Sequence, residues 1–304
     1  MKKKTGLIIA LIAFVFALII GLSALWLSSK FFSPKESEKI SEKGTKSRRI
    51  STNIRNLDLI SEAESLAVHL PFGNPSEATT ENPENYLLIN RYMIISYSKS
   101  RRVPNWVAWR LTDADIGKMD RVDSFRPDDR IPESWGRVTP FDYTGSGFDR
   151  GHLCPSADRE GSQAAMDSTF LMTNIAPQTP DLNRGPWEKL ESYTRTLARR
   201  NQDVYIIAGT YGEIGRIKNK IAIPASFWKI LAVLPRGASI DSINENTRVI
   251  AVEMPNVRGI KNADWFIYRT TVRDIESKTG YNFFSSLPQD LQDQLETKFD
   301  QAID

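Results

Sequence analysis

Two stretches of sequence decide the fold of this chain: DRGHLCP at residues 149–155 and TNIAPQTPDLNRGPWEKLE at residues 173–191. The first places a histidine, whose ordinary pKa lies near neutral pH, beside an arginine and a glycine. Arg150 offers a fixed planar charge suited to phosphate, and Gly151 lets a phosphate or another backbone approach closely. These residue types suit attack at an anionic ester, although a structural loop histidine at position 152 would give the same letters.

The second stretch predicts a helix from about Asn183 to Arg200, with Pro186 and Trp187 near its start. Asn183 and Glu191 carry hard oxygen donors, which suit Mg²⁺ better than a soft metal. On a continuous helix their Cα atoms would lie roughly 12 Å apart, so Glu191 could reach an ion on Asn183 only through a water molecule. The alternative is that Asn183 caps the helix and Glu191 is a solvated residue.

The charge of the chain is divided unevenly along its length. The 304 residues carry 40 Lys and Arg against 37 Asp and Glu, a net charge of +3. Residues 1–50 hold ten basic and three acidic side chains, a net of +7, so the remaining 254 residues carry −4. This balance excludes a globally basic nucleic-acid binder and requires any polyanion to bind a local patch.

The scarcity of cysteine and histidine excludes several kinds of site. One Cys and two His leave no disulfide framework within the chain and no metal site built from several cysteines or histidines. Cys154 is expected to be a small buried thiol, and His69 a structural histidine of a short helix. Of the two histidines, only His152 is therefore a candidate for chemistry.

The N-terminal segment is predicted to be a membrane anchor. Three lysines precede an apolar run of 21 residues, 7–27, which is long enough to cross a bilayer core of about 30 Å. We expect an uncleaved anchor over residues 1–30 with the rest of the chain outside the cytoplasm, because a short lysine cluster followed at once by an apolar run is the secretory pattern. Secretion after signal-peptide cleavage is the alternative, and the basic residues of 31–49 argue for the opposite orientation.

The remainder is predicted to be a polar linker over residues 31–57 and one domain over residues 58–304. Aromatic and β-branched runs predict strands at residues 86–97, 105–111, 204–210, 227–234, 248–254 and 265–272. Helical patterns lie near residues 57–69, 161–170, 183–200 and 289–299. Because strands outnumber helices and do not alternate with them, we expect an α+β domain whose central sheet is largely antiparallel, with helices packed on it.

The two opening stretches together resemble the DNA/RNA non-specific endonucleases, a branch of the ββα-metal (His-Me finger) nucleases. The resemblance covers about residues 86–285, and its further motifs are PNWVAW at 104–109, RVDSFRPD at 121–128, PSADR at 155–159, FLMTN at 170–174 and DIESKTG at 274–280. It implies the ββα-metal nuclease fold. It also implies a Mg²⁺-dependent endonuclease that cleaves DNA and RNA without sequence preference and leaves 5′-phosphate and 3′-hydroxyl ends.

The resemblance also implies a role for each matching residue. His152 would be the general base that activates water, Asn183 the single direct protein ligand of Mg²⁺, and Glu191 the holder of a metal-bound water. Mn²⁺ could replace Mg²⁺. Arg121 would stabilise charge in the transition state, while Arg150 and Asn174 would support the site by contacting phosphate or by orienting the histidine. The local basic patch is expected from three further side chains, which could equally form a solvated face: Arg184, Lys189 and Arg195.

Two other functions fit the same residues. The domain could be a nuclease-like module that only binds nucleic acid or a protein partner, although the complete set of His152, Asn183 and Glu191 argues against this. It could also be a phosphodiesterase that acts on small nucleotides. The expected partners are DNA, RNA and, through residues 7–27, a membrane, whereas a protein inhibitor and the oligomeric state stay open.

Overall fold

A seven-stranded antiparallel sheet forms the centre of the protein in a computed structural model that describes residues 61–302. The strands in chain order are β1 (Tyr86–Asn90), β2 (Met93–Ser98), β3 (Val103–Leu111), β4 (Asp149–His152), β5 (Ile175–Gln178), β6 (Gln202–Tyr211), β7 (Gly215–Ile217), β8 (Ile221–Ile223), β9 (Ser226–Pro235), β10 (Arg248–Pro255) and β11 (Arg269–Thr270). The sheet order is β1-β2-β3-β6-β9-β10-β11, while β4-β5 and β7-β8 form separate pairs. The expected α+β class with an antiparallel sheet is confirmed.

Within residues 61–302, five α-helices of seven or more residues pack around this sheet. They are α1 (Glu62–His69), α2 (Gln163–Thr169), α3 (Glu188–Arg199), α4 (Val272–Thr279) and α5 (Gln289–Glu296). Ser61 begins α1 with a capping box to Glu64, and Thr271 begins α4 with another to Asp274. Gly280 ends α4 in the left-handed conformation that glycine adopts without steric cost.

Both faces of the sheet are buried. Successive side chains of a strand point to opposite sides, so one strand contributes to the packing on both faces. In β3, Val107 and Trp109 join the apolar cluster that contains Leu190 of α3. Trp106 of the same strand joins a second cluster with Ile275 of α4. The domain therefore has three layers: the two opening stretches of sequence cover one face of the sheet, and the C-terminal helices cover the other.

Two of the predicted strands differ from the structure. The run 86–97 is a hairpin, and the backbone N–H of Tyr92 in its turn donates to Oδ1 of Asn90 over 2.9 Å. The run 265–272 forms a 3₁₀ turn at Trp265–Tyr268 and a strand of only two residues before α4 begins. The strand ends early because Thr271 caps the following helix, a signal that the aromatic run conceals.

The two opening stretches fold into a hairpin followed by a helix. Strand β4 pairs with β5 so that His152 lies opposite Ile175, and α3 follows β5 after a short helical turn. The predicted continuous helix from Asn183 is wrong, because Gly185 adopts φ −126° and ψ −120° and the regular helix begins only at Glu188. A side chain at Gly185 would come within 2.7 Å of the carbonyl oxygen of Lys261, so this close approach requires glycine.

The predicted anchor and linker, residues 1–30 and 31–57, lie outside the described residues, as does the expected start of the first helix at Leu57. Within residues 61–302, no helix is both long enough and apolar enough to cross a bilayer. Both N-terminal segments therefore stay predictions.

A buried arginine joins the segment that follows β4 to the central sheet. The side chain of Arg159 is 1% exposed and donates hydrogen bonds to the carbonyl oxygens of Tyr92, Arg110 and Asp158. Asp115 lies 3.7 Å from the same guanidinium. Arg159 thus ties the β1–β2 turn and the end of β3 to the chain that carries the site.

We predict that Arg159→Met lowers the free energy of unfolding by about 3 kcal/mol or more, because it leaves buried carbonyl oxygens without donors. Urea denaturation measures this change. Arg199→Met is the matched control, since Arg199 is exposed at the end of α3, and it should cost less than about 0.5 kcal/mol. Equal stabilities of the two variants would contradict the role given to Arg159.

Candidate active site

The carboxylate of Asp149 joins β4 to the turn that precedes α3. Its Oδ2 accepts a hydrogen bond from Nδ2 of Asn183 over 2.9 Å, and the guanidinium of Arg184 donates to both carboxylate oxygens over 2.7 and 2.8 Å. Because the amide nitrogen of Asn183 faces Asp149, its Oδ1 is the atom available to a ligand. The sequence analysis assigned no role to Asp149, although it is the first residue of the DRGH motif.

The imidazole Nε2 of His152 is buried without a hydrogen-bond partner in the described part of the chain. The His152 ring packs against those of Phe125 and Phe170, with centroids 5.3 and 5.1 Å away. His69 is the opposite case, because its Nε2 bonds the carbonyl oxygen of Arg91 and its Nδ1 accepts the N–H of Arg110. A buried polar group left unpaired requires an explanation, and a catalytic role supplies one.

The surroundings of His152 keep its imidazole neutral. Burial lowers the pKa of His152 to about 3, and the positive charge of Arg121 adds to the effect. Arg150 acts in the same direction, while Asp123 opposes it. At pH 7 the ring is therefore unprotonated.

A cleft of about 350 Å³ is lined by Phe125, whose ring packs against His152, whereas His152 itself does not line it. The structure brings four of the predicted site residues to its walls: Arg121, Arg150, Asn183 and Arg184. Arg121 is half exposed and bonds Asp123 over 2.7 Å and Ser156 over 3.3 Å. The Arg150 guanidinium lies 4.2 Å from the Phe125 ring centroid, and within residues 61–302 no carboxylate pairs with it. Arg150 is thus the cation of the cleft that is best placed to meet an anion.

Glu191 does not line the cleft. Its side chain is 12% exposed, and its Oε1 is 3.7 Å from Nζ of Lys229, a lysine buried to 1% exposure. That ammonium also lies 4.2 Å from the ring centroid of Trp187. Burial raises the pKa of Glu191 to about 7 and lowers the pKa of Lys229. The sequence analysis missed Lys229 because it stands within the apolar run of β9.

The side chain of Asn174 binds backbone groups of the protein and does not face a ligand site. Its Oδ1 accepts the N–H of Cys154 over 3.0 Å, and its Nδ2 donates to the carbonyl oxygens of Cys154 and Thr169, both over 2.8 Å. Its amide is fully buried and all its groups are engaged. This placement favours a role in positioning the chain after His152, and it does not favour contact with phosphate.

The three expected nucleic-acid contacts fall in different places. Arg184 lines the cleft and is 64% exposed. Lys189 bonds Asp264 and two neighbouring carbonyl oxygens, and Arg195 turns inward to Asp158 with only 12% of its side chain exposed. Of the three, Arg184 alone combines exposure with a place at the cleft.

The loop after β10 brings a further cation that the sequence analysis did not consider. A nitrogen of Arg258 lies 3.8 Å from the position that a side chain at Gly147 would take, just before β4.

The donor set fits one hydrated hard metal ion. Among the described residues, no group of three or more His, Cys, Asp or Glu could hold a metal. A site that uses one amide oxygen, Oδ1 of Asn183, and fills its other positions with water needs no such group. Mg²⁺ tolerates this arrangement because it keeps much of its hydration shell.

Comparison with known proteins identifies the family of the chain. The family model of the DNA/RNA non-specific endonucleases matches residues 73–290. The chain belongs to this family. The endonuclease is 46% identical over 240 residues to a protein named Nuclease from Nostoc sp., a match that covers 78% of this chain and 87% of the relative.

The chain is also similar to a mitochondrial nuclease and to a solved structure of a nuclease complex. Human mitochondrial Endonuclease G is 37% identical over 187 residues, which are 56% of this chain and 60% of that protein. A crystal structure of an EndoG/EndoGI complex, which concerns the mechanism of EndoG inhibition, superposes with a TM-score of 0.62 at 25% identity. That match covers 76% of the endonuclease and 95% of the solved chain. The resemblance seen in the motifs is thereby confirmed.

Gly151 of the endonuclease makes room for a side chain and not for a phosphate. A Cβ at this position would lie 2.1 Å from Oε1 and 2.5 Å from Cδ of Gln178, whose side chain is fully buried. Gly151 pairs with Ala176 in the β4–β5 hairpin, so this contact decides how closely the two strands approach.

We predict that Gly151→Ala slows nucleic-acid cleavage at least about a hundredfold and lowers the free energy of unfolding by about 1–3 kcal/mol, because overpacking displaces β4 and His152. The measurements are plasmid cleavage rates and urea denaturation. Gln178→Ala in the same chain removes the colliding atoms and should restore part of both losses. A double variant no better than Gly151→Ala would contradict this reading.

We also predict that neither histidine titrates near pH 6.5, because burial lowers the pKa of His152 to about 3 and of His69 to about 4. In NMR spectra of the protein free of metal and nucleic acid, both sets of imidazole signals should stay unchanged from about pH 8 to 5.5. Below about pH 6.5 the histidines of the unfolded chain bind protons, whereas those of the folded chain do not. The free energy of unfolding therefore falls as the pH drops from about 6.5 toward 4.

His152→Ala assigns the two signals by removing one of them. Titration of the His152 signal near pH 6.5 would contradict the electrostatic environment described for this ring.

Proposed function

We propose that this endonuclease hydrolyses phosphodiester bonds of DNA and RNA without sequence preference, with His152 as the general base and Mg²⁺ as the metal. One observation carries the proposal: Nε2 of His152 is buried without a hydrogen-bond partner among residues 61–302, close to the Arg121 and Arg150 guanidinium groups of the cleft wall. A base beside a positively charged pocket is the arrangement that attack of water on an anionic ester requires.

His152 takes a proton from the water that attacks phosphorus in line with the leaving oxygen. The new oxygen–phosphorus bond forms as the bond to the 3′ oxygen breaks, and the departing oxygen takes a proton from a second water molecule, which leaves 5′-phosphate and 3′-hydroxyl ends. Because Arg121 and Arg150 depress the pKa of His152, a phosphate bound between them would offset their charge and strengthen the base as substrate arrives.

The arginines of the cleft bind the backbone of the nucleic acid. Arg150 has no carboxylate partner in the described part of the chain and can donate to the oxygens of the scissile phosphate. Arg121, which Asp123 and Ser156 hold in place, can stabilise the negative charge that grows as water attacks. Contacts to phosphate carry no sequence information, so indifference to sequence follows.

Asn183 would hold the metal through Oδ1, and Glu191 would hold one of the waters of the ion. When bound, Mg²⁺ or Mn²⁺ stabilises negative charge on the phosphate and on the leaving oxygen. Asp149 fixes the amide of Asn183 in the orientation that this requires, and Lys229 keeps a positive charge beside the Glu191 carboxylate.

The test is cleavage of plasmid DNA and of RNA by the purified chain and by His152→Ala. We expect the wild type to cleave both substrates with Mg²⁺ or Mn²⁺ and to be inactive in EDTA. The cleavage rate of His152→Ala should be about a hundredfold to ten-thousandfold lower. Circular dichroism checks that the variant is folded. Undiminished activity in His152→Ala would reject the base, and hydrolysis of small nucleotide esters without plasmid cleavage would favour the phosphodiesterase alternative.

The N-terminal segment leads us to propose that residues 7–27 anchor the enzyme in a membrane with its domain outside the cytoplasm. Twenty-one uncharged, mostly apolar residues after a lysine cluster support this. N-terminal sequencing of the mature protein separates the two routes, since a start beyond residue 20 would mean that a signal peptide has been removed.

A further inference from the structure

One aromatic side chain beside the cleft has no packing partner that accounts for it. Phe141, in the 3₁₀ turn Pro140–Tyr143, is 80% exposed, whereas the next most exposed large apolar side chain within residues 61–302 is Ile267 at 62%. Burying a phenylalanine side chain is worth about 1.5–3 kcal/mol, so a ring held in water is a place where a ligand can gain affinity.

The turn that carries this ring is a wall of the cleft. Pro140 and Tyr143, on either side of Phe141, line the same cleft as Arg150 and Asn183. The chain continues along that cleft to Phe148, a half-buried ring that also lines it. Residues 140–148, which we name the aromatic wall, therefore run from the rim of the cleft to the first residue of β4.

The aromatic wall is held rigidly at the point where Phe141 projects. Oδ2 of Asp142 accepts from the backbone N–H of Thr139 over 2.7 Å, from the hydroxyl of Thr139 over 3.0 Å and from Nζ of Lys220 over 2.8 Å. Nζ of Lys218 donates to the carbonyl oxygen of Phe141 over 2.9 Å. The ring is thus presented on an ordered backbone next to two lysines, so little freedom is lost when a ligand covers it.

We propose that Phe141 stacks on an unpaired nucleobase next to the phosphate being cleaved, and that the endonuclease therefore prefers single-stranded nucleic acid. This rests on the proposed function, because it is the phosphate site of the cleft that brings a base within reach of the aromatic wall. Every base has a flat face that an aromatic ring can cover, so stacking adds affinity without adding sequence preference. In a duplex, neighbouring bases already cover both faces, and the ring finds no partner.

A binding assay separates nucleobase stacking from catalysis. It uses the His152→Ala chain in detergent with EDTA, so that the nucleic acid is bound but not cleaved. The probe is a fluorescein-labelled strand of twelve thymidines, followed by anisotropy at one salt concentration. Phe141→Ala in that chain should weaken binding about tenfold, since stacking is worth about 1–3 kcal/mol per base, and Phe141→Trp should retain it. Phe266→Ala is the matched control, because Phe266 is 41% exposed and no residue of its 3₁₀ turn, Trp265–Tyr268, lines the cleft, and it should change nothing.

Two further ligands show whether the base is what Phe141 contacts. On a strand of the same length with abasic sites in place of thymidines, and on a twelve-base-pair duplex, Phe141→Ala should change affinity less than about twofold. Equal losses on all three ligands, or no loss on the thymidine strand, would overturn the proposal. If Phe141 matters for the thymidine strand but the wild-type chain cleaves neither DNA nor RNA, the proposed function fails and the stacking site stands.

Discussion

The hydrogen bonds of the Asp149 carboxylate couple two parts of the chain that lie 34 residues apart, and the site depends on this coupling. Asp149 is three residues before His152 on β4, and Asn183 belongs to the turn before α3. When the carboxylate accepts from Asn183 and Arg184, it sets the distance between the base and the proposed metal ligand and turns the amide oxygen of Asn183 away from β4. The two functional groups thereby become one unit, although neither contacts the other.

A layer of buried charge supports this unit from below. Asp158 binds Arg195 over 3.1 Å and accepts the indole N–H of Trp109, while Lys229 faces Glu191. The four charges cancel in sign, which removes much of the cost of taking ions out of water. Removal of any one would leave an unpaired buried charge, so the network holds α3 in one position against the sheet. That rigidity keeps Glu191 beside Lys229.

The strands of the central sheet can be predicted from the sequence pattern more completely than the candidate site. The long strands β3, β6, β9 and β10 are rich in β-branched and aromatic residues, so their pattern alone predicts them. The hairpin that carries His152 does not follow that pattern, because its strands have four residues each and contain charged residues, glycine and proline. Only the family motifs located it. Motifs name residues but not contacts, which is why Asp149, Lys229 and the aromatic wall emerged from the structure alone.

The position of the bound metal ion tests most directly whether Asp149 orients Asn183 to be the metal ligand. Crystals soaked in Mn²⁺ give an anomalous difference map in which each bound ion appears as a peak. The account predicts one strong peak coordinated by Oδ1 of Asn183 as its only protein ligand, with Glu191 reached through water. A peak bonded directly to Glu191 or Asp149, or none at Asn183, would contradict it.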